Sequence, residues 1–590
     1  MNPTGPATSR TTGTGESAAR SGGRSGGRRF ATHTVSNQPP PLAPHDALAA
    51  DHALGEALDR WCRPGLAAPG GQLAEIGALA GSEQAREWAF DAHRHPPRLV
   101  THDRYGERAD EVEFHPSWHH LLGRAVGWGL HGAAWTAGEA TPHLARAAGF
   151  YLWSQAEAGH GCPVSMTYAA VPALRAEESL SAAWTPLLSS TAYDPGLRPA
   201  AGKRGALAGM AMTEKQGGSD VRSNTTRADP AGAGGGDGTD GVDGGGGEYV
   251  LTGHKWFCSA PMSDVFLVLA QAPGGLTCFV LPRVLPDGTR NALRLVRLKD
   301  KLGNRSNASA EVEFEGALAS RLGPEGRGVA TILSMVNATR LDCVLGSAAL
   351  MRRAVGEAIW HATHRWAFGR PLADQPAMAN VLADLALEQE AATTLAMRLA
   401  AATDAAETDP GERALLRIAL PAAKYHVCKR ASAVAAEALE CLGGNGYVEE
   451  SGMPMLFRES PLNSVWEGAG SVQALDVLRA LRREPDALTA WLGEIAPARG
   501  ADPRLDRAVE DLLTSLADLS EPEYTARRLA ERIAVVFQGA LLVRYAPPEV
   551  ADAFCASRLG PGGCATFGTL PRGTGAAAIV DRATPAALPR

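Results

Sequence analysis

Residues 210–221 read MAMTEKQGGSDV. A strand-like stretch ends at Thr213 and breaks into a Gly-Gly-Ser-Asp turn. Such a turn lets successive backbone amides converge on an anion or on the polar edge of a ring cofactor. Residues 463–470 read NSVWEGAG. They set one carboxylate, Glu467, in a Gly-rich, mobile setting beside the Trp466 ring. A cofactor platform and one positioned base are what a dehydrogenation alpha to a thioester requires.

Working outward, residues 206–320 carry short runs rich in β-branched and aromatic residues, such as EYVLTGHKWF, DVFLVLAQA, LTCFVLP and AEVEFEGA. Turn residues bound them, which predicts a compact β-domain. Inside it, PAGAGGGDGTDGVDGGGG at 230–247 is low complexity and reads as a disordered loop between two strands. Residues 45–205 are mainly helical by pattern, including the runs at 117–135 and 145–159. Helical periodicity returns after Val329: a long segment at 332–368 and two further amphipathic stretches predict a bundle over 321–485. Residues 486–590 add another helical region, with a weakly ordered tail after about Gly560.

The chain has 590 residues, is 45% apolar and carries a net charge of −7. That size implies several domains, and the acidic balance argues against a broadly basic nucleic-acid coat. The nine cysteines form no CxxC pair, which fits structural thiols in a reducing compartment and gives no metal site. No run of about 18 apolar residues appears, so no membrane span is expected. Residues 1–44 read as a disordered lead-in; the first 30 hold five Arg and one acid, Glu16.

From about His33 to about Pro548 the chain resembles the acyl-CoA dehydrogenase superfamily, and within it the AidB-like subfamily linked to the alkylation-damage response. The matching stretches are MTEKQGGSDVRSNTTRA at 212–228, LTGHKWF at 251–257, RLKDKLGNRSNAS at 297–309 and EGAG at 467–470. The resemblance implies an α+β fold: an N-terminal helical domain, a middle β-domain and a C-terminal four-helix bundle, with the extra helical region beyond. It implies FAD at their junction. Met212 and Thr213 would meet the isoalloxazine edge and Ser219 the pyrophosphate, with Trp256, Phe257 and Ser259 covering the flavin. Arg365, Phe368 and Gln375 match a segment that reaches the FAD of a neighbouring subunit, which implies a dimer or a dimer of dimers, the homotetramer being what the family resemblance implies. Gly443 and Gly444, in LGGNGY at 442–447, match the adenine-side motif, although Glu440 stands where the family often carries Gln. Trp466, Gly468 and Ser471 complete the cofactor set.

Glu467 matches the family's catalytic glutamate. The plain alternative is a solvated Glu capping a helix at about 468–483. Some family members carry the base on another helix, just before an Arg. Thr339 stands at that position here, before Arg340, which leaves Glu467 alone. No chemical role follows from the LKDKLGNRSN segment at 298–307.

Two function classes follow. One is a cytoplasmic AidB-like flavoprotein that binds double-stranded DNA non-specifically and limits alkylation damage, with weak dehydrogenation of short branched acyl-CoA. The other is a true acyl-CoA dehydrogenase with no DNA role. DNA contact in the subfamily is attributed to the C-terminal region, yet residues 486–590 hold 11 Arg, no Lys and 13 acids. Local clusters remain at Arg479, Arg482 and Arg483, and at Arg527, Arg528 and Arg532; a salt-bridged helix face is the plain alternative.

Overall fold

The computed structural model describes residues 32–62, 70–138, 140–231, 247–517, 520–560 and 566–586. Most of the Arg-rich lead-in, the Gly-rich insertion from 232 to 246 and the segments 561–565 and 587–590 lie outside the described residues.

Helices come first: α1 (His52–Trp61), α2 (Gln72–Ala80), α3 (Glu83–Arg94), α4 (Pro116–Gly127), α5 (Pro142–Ser154), α6 (Gly161–Leu174) and α7 (Glu178–Leu188). A two-stranded ribbon that the helical pattern did not announce, β1 (Arg98–His102) and β2 (Arg108–Glu113), interrupts them. The periodic run at 117–135 splits: α4 ends at Gly127, and Gly129 turns the chain with φ 72° before a short 3-10 turn.

Seven strands follow: β3 (Ala208–Ala211), β4 (Arg227–Pro230), β5 (Glu248–Ser259), β6 (Val265–Ala272), β7 (Gly275–Pro282), β8 (Leu293–Leu298) and β9 (Ser309–Leu322). Their pairing closes on itself: β5 lies antiparallel to β4 and β9, β9 to β7, β7 to β6, and β6 runs parallel to β4. A closed circuit leaves few unpaired edges. Its interior holds Leu251, Phe266, Val268, Phe279 and Phe314, all essentially without exposure.

Beyond it come α8 (Gly328–His364), α9 (Pro376–Ala405), α10 (Pro410–Cys441), α11 (Met453–Glu459) and α12 (Gly470–Arg483). By length and composition α8 could cross a membrane, which the sequence reading did not expect, but 61% of its most apolar window is buried inside the fold. It stops before Trp366, where Trp366–Ala367 and Arg370–Pro371 (β10 and β11) make a small antiparallel ribbon. The chain closes with α13 (Pro485–Ile495), α14 (Pro503–Ala517), α15 (Pro522–Tyr545), α16 (Pro548–Phe554) and α17 (Ala576–Ala583). The expectation of a weakly ordered tail is corrected over 566–586. Phe567, Leu570 and Ile579 are buried in the main core, and Arg582 pairs with Glu56 and Glu390 at 2.8 and 3.0 Å.

One buried ion pair fixes the start of the β-domain. Lys255 of β5 and Glu214, just after β3, meet at 2.6 Å with no side-chain exposure. Burial opposes the Glu214 charge, but Lys255 and the groups of Thr225 and Thr226 outweigh it and hold the carboxyl down at about 2. Removing one partner of a buried pair strands the other charge. Lys255→Met is therefore expected to lower stability by about 3–5 kcal/mol in a denaturant titration. Pairing it with Glu214→Leu should recover most of that loss.

Candidate functional site

Glu467 sits in a left-handed backbone conformation at φ 57°, followed by Gly468 at φ 95°. Non-glycine residues adopt such angles at a cost of about 1–3 kcal/mol, so neighbours must hold the turn. They do. Lys424 of α10, itself buried, donates through Nζ to the carbonyls of Trp466 and Gly468, both at 2.6 Å. Gln473 of α12 donates to the carbonyls of Glu467 and Gly468, both at 2.9 Å. The expected mobile setting is thus corrected: the glycines allow the turn's angles, and α10 and α12 fix them.

The carboxylate is fixed as well. Thr339 Oγ1 of α8 donates to Glu467 Oε2 at 2.6 Å. Burial raises the Glu467 pKa above the ordinary carboxylate value, while Thr339, Lys424 and Arg340 pull the other way. Its neighbour Trp466 donates through Nε1 to Asn463 at 2.9 Å and packs against an apolar cluster of α6, β3, β6 and α8. Cys162 and Met166 of α6 belong to that cluster, and Met212 packs on it too. Glu467 therefore stands at the rim of an apolar wall, the environment a base needs to take a weakly acidic C–H proton. It does not act as a helix cap: α12 begins at Gly470, and no side chain caps it.

Of the residues expected to hold a flavin, Met212, Thr213, Trp256, Phe257 and Ser259 gather on the barrel. Met212 and Thr213 follow the end of β3, and the Thr213 carbonyl accepts from the Trp256 backbone N–H at 2.8 Å. The β5–β9 register shifts between Lys255 and Cys258, so β5 bulges at Trp256 and Phe257. Lys299 Nζ stands 3.1 Å from the centre of the Trp256 ring and 4.7 Å from that of Phe257, which is half exposed. Ser259 lies near the Cys162 thiol, whose pKa burial raises while Lys301 and Ser259 oppose the shift. Ser219 is exposed in its turn. Ser471 is exposed in the first turn of α12.

Arg365 caps α8, and Gln375 Nε2 donates to the Ala367 carbonyl at 3.0 Å, bracing the β10–β11 ribbon. Phe368 at its tip is 96% exposed. A Cβ added at Gly443 or Gly444 would meet nothing within 4 Å, so both glycines face open space. This set fits a flavin dinucleotide: hydroxyl-bearing turns, exposed aromatic rings, and bare glycine backbone where an extended ligand can approach closely.

Three contributors went unread in the sequence. Lys424 and Gln473 hold the turn, and Thr339 was read only as the absence of a second base. A Lys on the buried face of α10 is the one local signal for the first. The LKDKLGNRSN segment also gains a structural part: Asn304 donates to Glu459, and Ser306 to Glu157 at 2.6 Å, docking this loop on α11 and the entry to α6.

Comparison with known proteins matches three profiles: the "Adaptive response protein AidB N-terminal domain" over residues 37–195, and the acyl-CoA dehydrogenase middle and C-terminal domains over 209–317 and 326–482. An Escherichia coli K12 protein described as an acyl-CoA dehydrogenase, AidB, is 46% identical over 89% of this chain and 94% of its own. The Caenorhabditis elegans "Acyl-CoA dehydrogenase family member 11" is 32% identical over 76% of each chain. Among solved structures, C. elegans ACDH-11 in complex with C11-CoA aligns with a TM-score of 0.77 at 27% identity, covering 89% of this chain and 93% of that one.

The Thr339 bond favours the charged form of Glu467, so its removal should push the carboxyl's pKa further up. Proton abstraction needs the carboxylate. Thr339→Val is therefore expected to move the acidic limb of the pH–rate profile for flavin reduction to higher pH, with FAD content unchanged. An unmoved limb would separate Thr339 from the base.

Proposed function

This chain belongs to the AidB-like acyl-CoA dehydrogenases, FAD-dependent oxidoreductases, and we propose that it is a flavoprotein of the AidB type that pairs a modest acyl-CoA dehydrogenase activity with binding of duplex DNA. The observation that carries the enzymatic half is the Glu467 carboxylate, oriented by Thr339 at the rim of an apolar wall. In this reading the carboxylate takes the α-proton of a short branched acyl thioester. Thr339 aims it, Lys424 and Gln473 keep the turn closed, and Trp466 with its cluster excludes water. Bound FAD supplies the hydride acceptor that side chains lack. Met212, Thr213, Trp256, Phe257 and Ser259 would hold the ring system. Ser219, Gly468 and Ser471 would hold the phosphate side and Gly443 and Gly444 the adenine side, with Arg365, Phe368 and Gln375 serving a neighbouring subunit's cofactor.

The exposed ribbon tip at Phe368, with Trp366 also 54% exposed, supports a homotetramer built as a dimer of dimers. A cytoplasmic location accords with eight described cysteines that are all free thiols.

The DNA half rests on which arginines stay unpaired. Arg479 is bound to Asp476 at 2.9 Å, and Arg504, Arg544, Arg558 and Arg582 each hold a carboxylate. Arg527 and Arg528 on α15, and Arg482 on α12, are exposed, and Arg532 is half-buried. None of these four has a carboxylate within 4 Å among the described residues. Lys429 joins them: Arg527 and Lys429 both stand 5.7 Å from the Tyr425 ring centre, and Lys429 overlies Gly470. Such a patch suits phosphates and carries no base readout, as shielding against alkylation would need. The competing reading, an acyl-catabolic dehydrogenase without a DNA role, is favoured by the number of C-terminal arginines already held by acids.

Glu467→Gln should abolish flavin bleaching by any acyl-CoA while FAD stays bound; retained bleaching would remove Glu467 from the chemistry. Arg527→Ala with Arg528→Ala should weaken binding to unrelated duplexes several-fold at low salt and flatten the salt dependence by about two phosphate contacts. Unchanged affinity would place DNA elsewhere or nowhere.

A further inference from the structure

A cavity of about 100 Å³ lies between β2, α4, the 192–207 segment and the approach to β6. None of the residues given a role above lines it. Phe114, Trp118, His119 and Tyr193 supply aromatic walls. The volume is small beside the several hundred Å³ of a cofactor-sized site, so it suits one or two fused rings.

Its electrostatics narrow the ligand. Four acids line it, and each already has a base: Asp110 with Arg108 at 2.8 Å, Glu111 with Arg290, Asp194 with Arg198 at 2.6 Å, and Asp264 with Lys203 at 2.6 Å. His119 and Tyr193 share a hydrogen bond of 2.6 Å, and burial disfavours charge on both. The walls thus offer no unbalanced charge to an ion.

Two polar atoms remain open. The Trp118 indole N–H has no acceptor and Asp110 Oδ1 has no donor, although the residues are 1% and 5% exposed. Leaving such groups unpaired costs about 1–3 kcal/mol each. Asp110 also sits at φ 47°, a strained angle for a non-glycine residue. One unused donor and one unused acceptor, both on residues lining an aromatic cavity, describe a complementary guest.

We propose that this cavity binds a neutral, planar nitrogen heteroaromatic of one or two fused rings, which accepts from Trp118 Nε1–H and donates an N–H to Asp110 Oδ1. Stacking on the aromatic walls supplies the remaining contact. Ordered water filling the cavity is the competing account.

The test is calorimetric titration of the FAD-loaded protein with adenine, which carries both groups, and with toluene, which carries neither. Adenine should bind at one site per chain and at least tenfold tighter than toluene. Trp118→Phe keeps the ring and removes the N–H. Asp110→Asn keeps the shape and tolerates the left-handed angle, but Arg108 would claim its amide oxygen and leave a donor facing the guest. Each should weaken adenine at least tenfold with FAD content and Tm retained; should Trp118→Phe fail to fold, Asp110→Asn decides alone. No adenine binding, equal toluene binding, or adenine binding that survives Asp110→Asn would each overturn the proposal. The first would mean water only, and the last a site elsewhere on the protein.

Discussion

Lys424 reaches from the interior of α10 to two carbonyls that flank Glu467, and the geometry of that carboxylate depends on the reach. A chain passing through φ 57° and then φ 95° leaves its carbonyls outside any helix or strand ladder, and each needs a donor. One Nζ bridging Trp466 and Gly468, with Gln473 covering Glu467 and Gly468, meets the need from two helices at once. Hydrogen bonds of this kind exceed the strain they hold, so the turn is rigid although it is rich in glycine. Thr339 then has a fixed target. A carboxylate on a loose loop would spend most of its time away from any single hydroxyl.

The three layers around this turn each contain a buried ion pair, and each pair ties segments that must not slip. Arg146 to Asp342 joins α5 to α8, Arg340 to Asp476 joins α8 to α12, and Lys255 to Glu214 joins β5 to the turn after β3. Desolvation consumes much of the Coulomb gain in such pairs, so their value here lies in register more than in stability. Slippage of α8 by one residue would carry Thr339 off the carboxylate. Slippage at the end of β3 would carry Thr213 away from Trp256. The apolar cluster shared by α6, β3, β6 and α8 fills the space between these fixed points.

Local pattern revealed the strands of the barrel, the long helices and the two motifs at Thr213 and Glu467, because each is written within a dozen neighbouring residues. The clamp was not legible for the opposite reason: Lys424 lies more than forty residues before the carbonyls it binds. Glycine around Glu467 was read as mobility, whereas here it supplies backbone angles. The ribbon at 98–113 escaped because RLVTH and RADEVE alternate weakly and bury only one side chain, Asp110. The order of residues 566–586 escaped too. Phe567, Leu570 and Ile579 are sparse among Gly, Pro and Thr and show no helical period, and only burial against distant helices makes them a core.

The C-terminal region shows why a charge count misleads. Eleven arginines against 13 acids reads as mildly acidic. Pairing leaves that difference unchanged where both partners lie in the region, but it decides which cations are open, because an arginine already held by a carboxylate is not available to a phosphate. Arg398 with Glu412 and Glu494, Arg544 with Glu494, and Arg558 with Asp384 and Glu388 are internal struts that fasten the extra helices to the bundle. Among the described residues, exposed arginines without a carboxylate within 4 Å remain at several places, Arg483, Arg499, Arg507, Arg527 and Arg528 among them. Arg527 and the half-buried Lys429 meet at Tyr425, and Lys429 also reaches Gly470 in the first turn of α12, close to the Glu467 turn. A phosphate-binding face there would lie against the same helices that orient the Glu467 carboxylate, so the two proposed activities would share one scaffold.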